Sequence, residues 1–436
     1  MIARLCLLFV LCPCACVAAV VNETCEAEDS ALVQQSSIRP YRRGVRARLE
    51  KLEEQMAAMA TQVQGLRGSQ SSAACGKIGT KGVALDSMVA GTGRRRSDRT
   101  QTPKAAHAFV HDATNNGCTK CVTWAYDYEV TSNIGNWPTL SELQYIPMLK
   151  TPNDLTQANV AQINTFPVST SSQNAVLDFN EIWQDFTIKG DSSKLCQPGG
   201  QPLSDLLDKI QTPPCYIAPG VTNLTESLTW LTQHESCYTS TPKEWNAVSF
   251  HFYGEKAPIP GHPALAKVWN AYFDMRGNIN AYFKYAQSPI RELWMTEFAM
   301  TGPPGQPQNG PQFIDQLEFM CISLCGMEHD NVIKNQVDKH AWYAGFNPTD
   351  GGVQNNRLHR WKSSTVLELA KLGCFYQNFR TDLDCGKFAD PNTDLQKPQG
   401  WTAATLESVM GGNGLGPCGA PLSSNTRLAT VCAAYQ

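Results

Sequence analysis

Between residues 81 and 372, eight short apolar runs alternate with segments of helical periodicity, and this rhythm constrains the chain more than any other feature. The runs are Gly82–Leu85, Cys121–Tyr126, Leu143–Met148, Ala175–Phe179, Cys215–Ala218, Ala247–Phe252, Leu293–Thr296 and His340–Ala344. Strands separated by helix-length segments cannot pair as tight hairpins; they pair in parallel through crossovers. Helical spacing is clearest in Pro202–Ile210, Pro263–Gln287, Gln312–Cys325 and Ser364–Leu372. Eight such units in fewer than 300 residues fit the arithmetic of an α/β (β/α)8 TIM barrel, expected here over 77–372. A doubly wound open sheet is disfavoured, because no Gly-rich phosphate turn follows any of the eight runs.

The flanks read differently. Arg4 precedes an apolar run from Leu5 to Val21, and the small residues Val17 and Ala19 suit cleavage after Ala19, so 1–19 reads as a secretory signal. Val45, Leu49, Leu52, Met56, Met59, Val63 and Leu66 step by four and three, the seam of a short coiled coil over 45–66 within the 20–76 segment. Such a seam predicts a homo-oligomer. After the N-terminus no apolar stretch reaches the roughly 20 residues of a membrane span. With 36 Lys and Arg against 39 Asp and Glu, the charge is −3, which argues against nucleic acid as a partner. Of 17 cysteines, four lie in the signal, and the remaining thirteen imply disulfides with one odd thiol. Cys25 and Cys75 bracket the seam, where a bond between chains is plausible. Residues 373–436 read as a disulfide-held extension, and Asn22 and Asn223 begin glycosylation acceptors. These signs point to a secreted, extracellular or cell-wall protein.

Reactive groups of a barrel sit where strands end at its C-terminal face. Two carboxylates close apolar runs there: Glu181, after Phe179 and Asn180, and Glu297, before Phe298. Period-2 alternation puts Phe179 and Glu181 on one face. Strands four and seven lie on roughly opposite sides of an eight-strand ring, so their ends can face each other. A pair of carboxylates so placed suits glycoside hydrolysis, one protonating the leaving oxygen and the other ionised. His251 and Tyr253 end the sixth run within hydrogen-bonding reach of a carboxylate or sugar hydroxyl. Trp124, Tyr126, Trp342 and Tyr343 stand at other strand ends, with Trp137 and Trp183 in loops. Aromatic planes stack on the C–H faces of sugar rings, so the cluster suits an oligosaccharide groove. His234, His251 and His340 lie in different elements without ligand spacing, so neither a metal nor a cofactor is expected.

Taken in order, the segments Val122–Asp127, Tyr145–Met148, Leu177–Glu181, Ile217–Pro219 with Trp230 and Leu231, Val248–Gly254, Trp294–Ala299 and His340–Tyr343 resemble glycoside hydrolase family 128. This is the glycosyl hydrolase catalytic core group of barrel enzymes acting on β-1,3-glucans. The resemblance implies a retaining enzyme, with Glu181 as general acid/base and Glu297 as nucleophile, and the working hypothesis is a secreted, endo-acting one. It also implies that Asn180 bonds the hydroxyl next to the reacting carbon, that Tyr253 orients Glu297, and that Trp342 forms the sugar platform. The alternative is a catalytically inactive carbohydrate-binding or wall-structural protein that keeps the groove and gains avidity from the seam.

Overall fold

The computed structural model divides the chain into two compact units, Met1–Leu66 and Arg67–Gln436. The residues it describes all belong to the second: 75, 78–85, 105–110, 121–130, 143–165, 175–181, 196, 205, 208–210, 215–222, 224–236, 245–255, 265–287, 291–301, 313–343, 356–361, 367–385, 430 and 432. The expected signal (1–19), the seam (45–66), Asn22, Asn223, Trp137, Trp183 and most of Pro202–Ile210 lie outside the described residues. No described helix is long and apolar enough to cross a membrane.

Eight parallel strands form the sheet: β1 (Lys81–Ala84), β2 (Trp124–Tyr126), β3 (Gln144–Tyr145), β4 (Ala175–Leu177), β5 (Cys215–Ile217), β6 (Ala247–Glu255), β7 (Glu292–Thr301) and β8 (Lys339–Tyr343). Each overlaps one of the eight apolar runs. Their order is β3-β2-β1-β8-β7-β6-β5-β4. The two ends of that row meet, because Met148 bridges Leu177 in parallel. Leu177 N–H donates to Pro147 O and Leu149 N–H to Leu177 O, both at 3.0 Å. The fold is thus a (β/α)8 barrel, as the rhythm of the sequence predicts.

Alternation along the strands sorts side chains into two cores. Ala84, Trp124, Tyr126, Leu177, Ile217, Ala247, Trp294 and Ala341 fill the interior. Val83, Ala125, Val176, Tyr216, Val248, Leu293, Met295 and Trp342 face outward into the larger core. That outer core is completed by helices α1 (Gln157–Thr165), α2 (Leu224–Glu235), α3 (Leu265–Ala286) and α4 (Phe313–His329). Aromatic pairs key helices to strands: Phe250 stacks on Tyr282 of α3 at 4.7 Å, and Phe252 on Phe319 of α4 at 6.1 Å.

The C-terminal end departs from expectation. The segment Ser364–Leu372 is not one helix: its described part is strand β10 (Leu367–Leu369), antiparallel to β9 (His359–Trp361), followed by α5 (Lys371–Asn378). Leu367 and Leu369 are buried with Glu368 between them, a period-2 pattern that a short window cannot separate from a helical one. Helix α5 therefore runs across the expected boundary at 372. It packs on the base of the barrel, where Tyr376 Oη–H donates to Gly82 O at 2.8 Å. Lys81 Nζ donates to the carbonyls of Tyr376 at 2.9 Å and Phe379 at 3.0 Å. Disulfides Cys325–Cys385 and Cys374–Cys432 fasten the short helix α6 (Thr381–Asp384) and the chain end. Cys75 pairs within the chain, with Cys215. It is unavailable for the inter-chain bond expected beside the seam.

Candidate active site

The longest strands, β6 and β7, carry the site. They pair one-for-one from Ala247 opposite Glu292 to Phe250 opposite Met295, and then His251 stands opposite Glu297. Thr296 is skipped. On the other side of β7, Met295 opposite His340 is followed by Phe298 opposite Trp342, another slip. Trp294 points into the barrel, so unbroken alternation would turn Thr296 inward and Glu297 outward. The bulge resets the phase and aims Glu297 at the barrel axis. Along β6 the alternation is unbroken: Ala247, Ser249, His251 and Tyr253 face the interior, with Phe250 and Phe252 outside.

Glu181 arrives by a different route. Beyond β4, Asn180 bridges Gly220, and Glu181 N–H donates to Gly220 O at 2.8 Å. Glu181 has φ 45°, in the left-handed region that side chains seldom occupy. Phe179 turns outward against His234, with ring centroids 5.8 Å apart. Phe179 and Glu181 therefore do not share a face, contrary to the alternation expected, because the pleat ends at Leu177.

The imidazole of His251 sits between the two acids. Its Nδ1 is 2.8 Å from Glu181 Oε1, and its Nε2 is 3.4 Å from Glu297 Oε1. The second contact is a charge contact without hydrogen-bond geometry, since Nε2 has no hydrogen-bond partner. Gly220 makes this packing possible: a Cβ there would fall 2.2 Å from His251 Nε2. The Glu297 side chain is 3% exposed and that of Glu181 24%, so one carboxylate lies deep and the other opens to solvent. Three phenols converge on Glu297. Tyr128 Oη–H donates to Oε1 at 2.7 Å, and Tyr253 Oη–H donates to Oε2. Tyr126 Oη lies 3.1 Å from Oε1 and 2.9 Å from Thr296 O, so its one proton is divided between them.

Burial pushes the Glu297 carboxyl above the ordinary carboxylate range. His251 pulls the other way, the Glu181 charge adds to the rise, and donation by Tyr253 and Tyr128 lowers it again; the net direction is up. For His251, burial lowers the pKa, but the charge of Glu297 and the hydrogen bond and charge of Glu181 outweigh it, so the imidazolium persists to higher pH than usual. Burial and the Glu297 charge raise all three tyrosines well above their ordinary value, which keeps them hydroxyl donors. In Tyr128→Phe, Glu297 loses a donor that stabilises its ionised form, so its pKa climbs further. The acid limb of kcat/KM is expected to move to higher pH, with activity at neutral pH down about tenfold or more. A pH–rate profile on soluble substrate checks both.

Of the residues singled out in the sequence, Glu181, Glu297, His251, Tyr253 and Tyr126 come together, with Asn180 beside them. Trp342 and Trp124 do not. Trp342 is 0% exposed on the outer side of β8, edge-on to Phe298 at 4.9 Å, and donates Nε1–H to Asn356 O. It is an outer-core residue, so it forms no sugar platform. The inward-facing residue is its neighbour Tyr343, edge-on to Tyr253 at 5.6 Å. Trp124 is likewise 0% exposed, inside the barrel against Trp294 at 5.3 Å. Sequence reasoning passed over Tyr128 and Gly220. Tyr128 follows Tyr126 by two residues, and period 2 was the available signal. Nothing local marks Gly220. Sequence spacing also suggested no metal constellation, yet folding gathers Glu181, His251 and Glu297 so that one ligand atom from each lies within 4.8 Å of the others.

Three solved structures are similar in outline. They are an endo-β-1,3-glucanase from Sorangium cellulosum (18% identity, 69% of this chain and 98% of that chain, TM-score 0.45), one from Amycolatopsis mediterranei in complex with laminaritriose (17%, 68% and 98%, 0.44), and an exo-β-1,3-glucanase from Aureobasidium namibiae (11%, 69% and 97%, 0.42). Among curated proteins none matches the sequence. A family described as glycosyl hydrolase catalytic core matches residues 105–372, which is more than half of the chain and holds both carboxylates. With that match over a barrel whose mouth joins two glutamates through a histidine, the chain belongs to the glycosyl hydrolase catalytic core family.

Proposed function

We propose that this protein is a secreted, endo-acting, retaining β-1,3-glucanase. The observation that carries the reading is the pairing of a deep carboxylate, Glu297, with a half-open one, Glu181, with ligand atoms within 4.8 Å of each other. Retaining enzymes need about 5 to 5.5 Å between carboxyl groups, whereas inverting ones need about 6.5 to 9.5 Å to admit a water. In the first step Glu297 attacks the anomeric carbon while Glu181 gives its proton to the departing oxygen. In the second, Glu181 takes a proton from water, which attacks the same carbon and frees Glu297. The phenols on Glu297 favour its ionised form, and solvent access lets Glu181 exchange protons between steps.

Asn180 supports the same reading. Its Oδ1 is buried without a hydrogen-bond partner, an acceptor fit for the hydroxyl beside the reacting carbon. The glucan linkage rests on the resemblance of the ordered strand-end segments to family 128. Secretion is supported by disulfides such as Cys75–Cys215, Cys325–Cys385 and Cys374–Cys432, since such bonds persist in oxidising compartments. The test is proton NMR of linear β-1,3-glucan during its first minutes of cleavage. The β-anomer is expected first, within a mixture of oligosaccharides. The α-anomer first would overturn retention, glucose alone would overturn endo action, and no reducing ends at all would overturn the hydrolase.

A further inference from the structure

The same mouth has the makings of a metal site that sugar cleavage does not call for. His251 is 1% exposed, yet its Nε2 has no hydrogen-bond partner. The nearest acid, Glu297 Oε1, stands 3.4 Å away, close enough for charge attraction but unsuited to a hydrogen bond. A tetrahedral zinc ion with bonds of about 2.0 to 2.1 Å separates neighbouring ligand atoms by about 3.3 to 3.4 Å. The Nε2–Oε1 pair thus has the edge length of a zinc polyhedron. The far side of the ring fits as well. Zinc-bound histidines commonly give their other N–H to a carboxylate, which fixes the tautomer and raises basicity. Here His251 Nδ1 lies 2.8 Å from Glu181 Oε1. A mixed imidazole and carboxylate donor set suits zinc better than magnesium or calcium, which prefer all-oxygen shells.

We propose that, with no sugar bound, the barrel mouth takes up one Zn²⁺ on His251 Nε2 and Glu297, with Glu181 holding the imidazole from behind. Because the ion claims lone pairs of Glu297 that the attack on the sugar would need, zinc and substrate exclude each other. That last consequence rests on the glucanase reading, whereas the binding itself does not.

The untagged full chain, stripped with chelator, is titrated with ZnCl2 by calorimetry without any glucan. One ion per chain is expected. Glu181→Gln should weaken binding about 10- to 100-fold, as loss of an outer-shell partner does. His251→Gln and Glu297→Gln should weaken it more. Absence of binding in the wild type, or equal affinity in the last two variants, would overturn the proposal. If those variants do not fold, Co²⁺ on the wild type decides. Visible bands of a four-coordinate nitrogen–oxygen site support the assignment, and the spectrum of aqueous Co²⁺ refutes it. Failure here leaves glucan cleavage unaffected, and an inactive protein that binds zinc as described would fail only as a glucanase.

Discussion

Glucan cleavage by Glu297→Gln is expected to fall by at least about 10,000-fold, the scale at which enzymes respond to loss of a nucleophile. The amide keeps the shape of the carboxylate and can still accept from Tyr128 or Tyr253, but it has no charge with which to attack carbon. The loss should fall on kcat, with KM little changed, because the sugar is still bound by the remaining groups. Unfolding should not account for it. Burial disfavours the ionised form of Glu297, as its raised pKa records, and a neutral amide relieves that cost. The thermal midpoint is therefore expected to stay or rise. Reducing-sugar assays at saturating glucan together with a melting curve test both halves.

Glu181→Gln should fail differently. On glucan the variant loses its proton donor, and the rate is expected to drop about 100- to 10,000-fold. On a β-glucoside with a strongly acidic phenol as leaving group, no proton is needed in the first step. Attack by Glu297 then proceeds, and the glycosyl-enzyme accumulates because no base activates water for the second step. Added azide, a nucleophile that needs no base, should restore turnover and yield the β-glycosyl azide. A variant that azide does not rescue on such a substrate would place Glu181 outside the acid/base role. The two experiments separate the roles, since Glu297→Gln has nothing for azide to rescue.

What the sequence reveals of this architecture depends on how local each cause is. Every one of the eight strands was legible, because each overlaps a short apolar run and the runs recur at the spacing of parallel crossovers. Glu181 and Glu297 were legible as acids at the ends of such runs. Their orientation was not. Glu297 points inward only because Thr296 is an extra residue in β7, a mismatch of two pairing partners that one strand's residues do not record. Glu181 reaches His251 only through a left-handed turn fixed by backbone hydrogen bonding to Gly220. The same limit misdirected Trp342. Its place at a strand end suggested a platform, but alternation in β8 sends it outward and Tyr343 inward. Tyr128 also has a positive φ, of 62°, and reaches Glu297 across a long sequence separation, so its spacing from Tyr126 hints at a shared face but not at this partner.

Lys81 opens the first strand and is 8% exposed. The carbonyls that receive it belong to residues 376–379, after the family's matched segment stops at 372. An ion withdrawn from water without such acceptors is costly to the fold. What resembles an appendage is therefore part of the foundation. A chain that keeps its first strand but is cut at residue 372 would strand a cation beneath the barrel, so any shuffling of this catalytic unit between proteins has to carry its tail along.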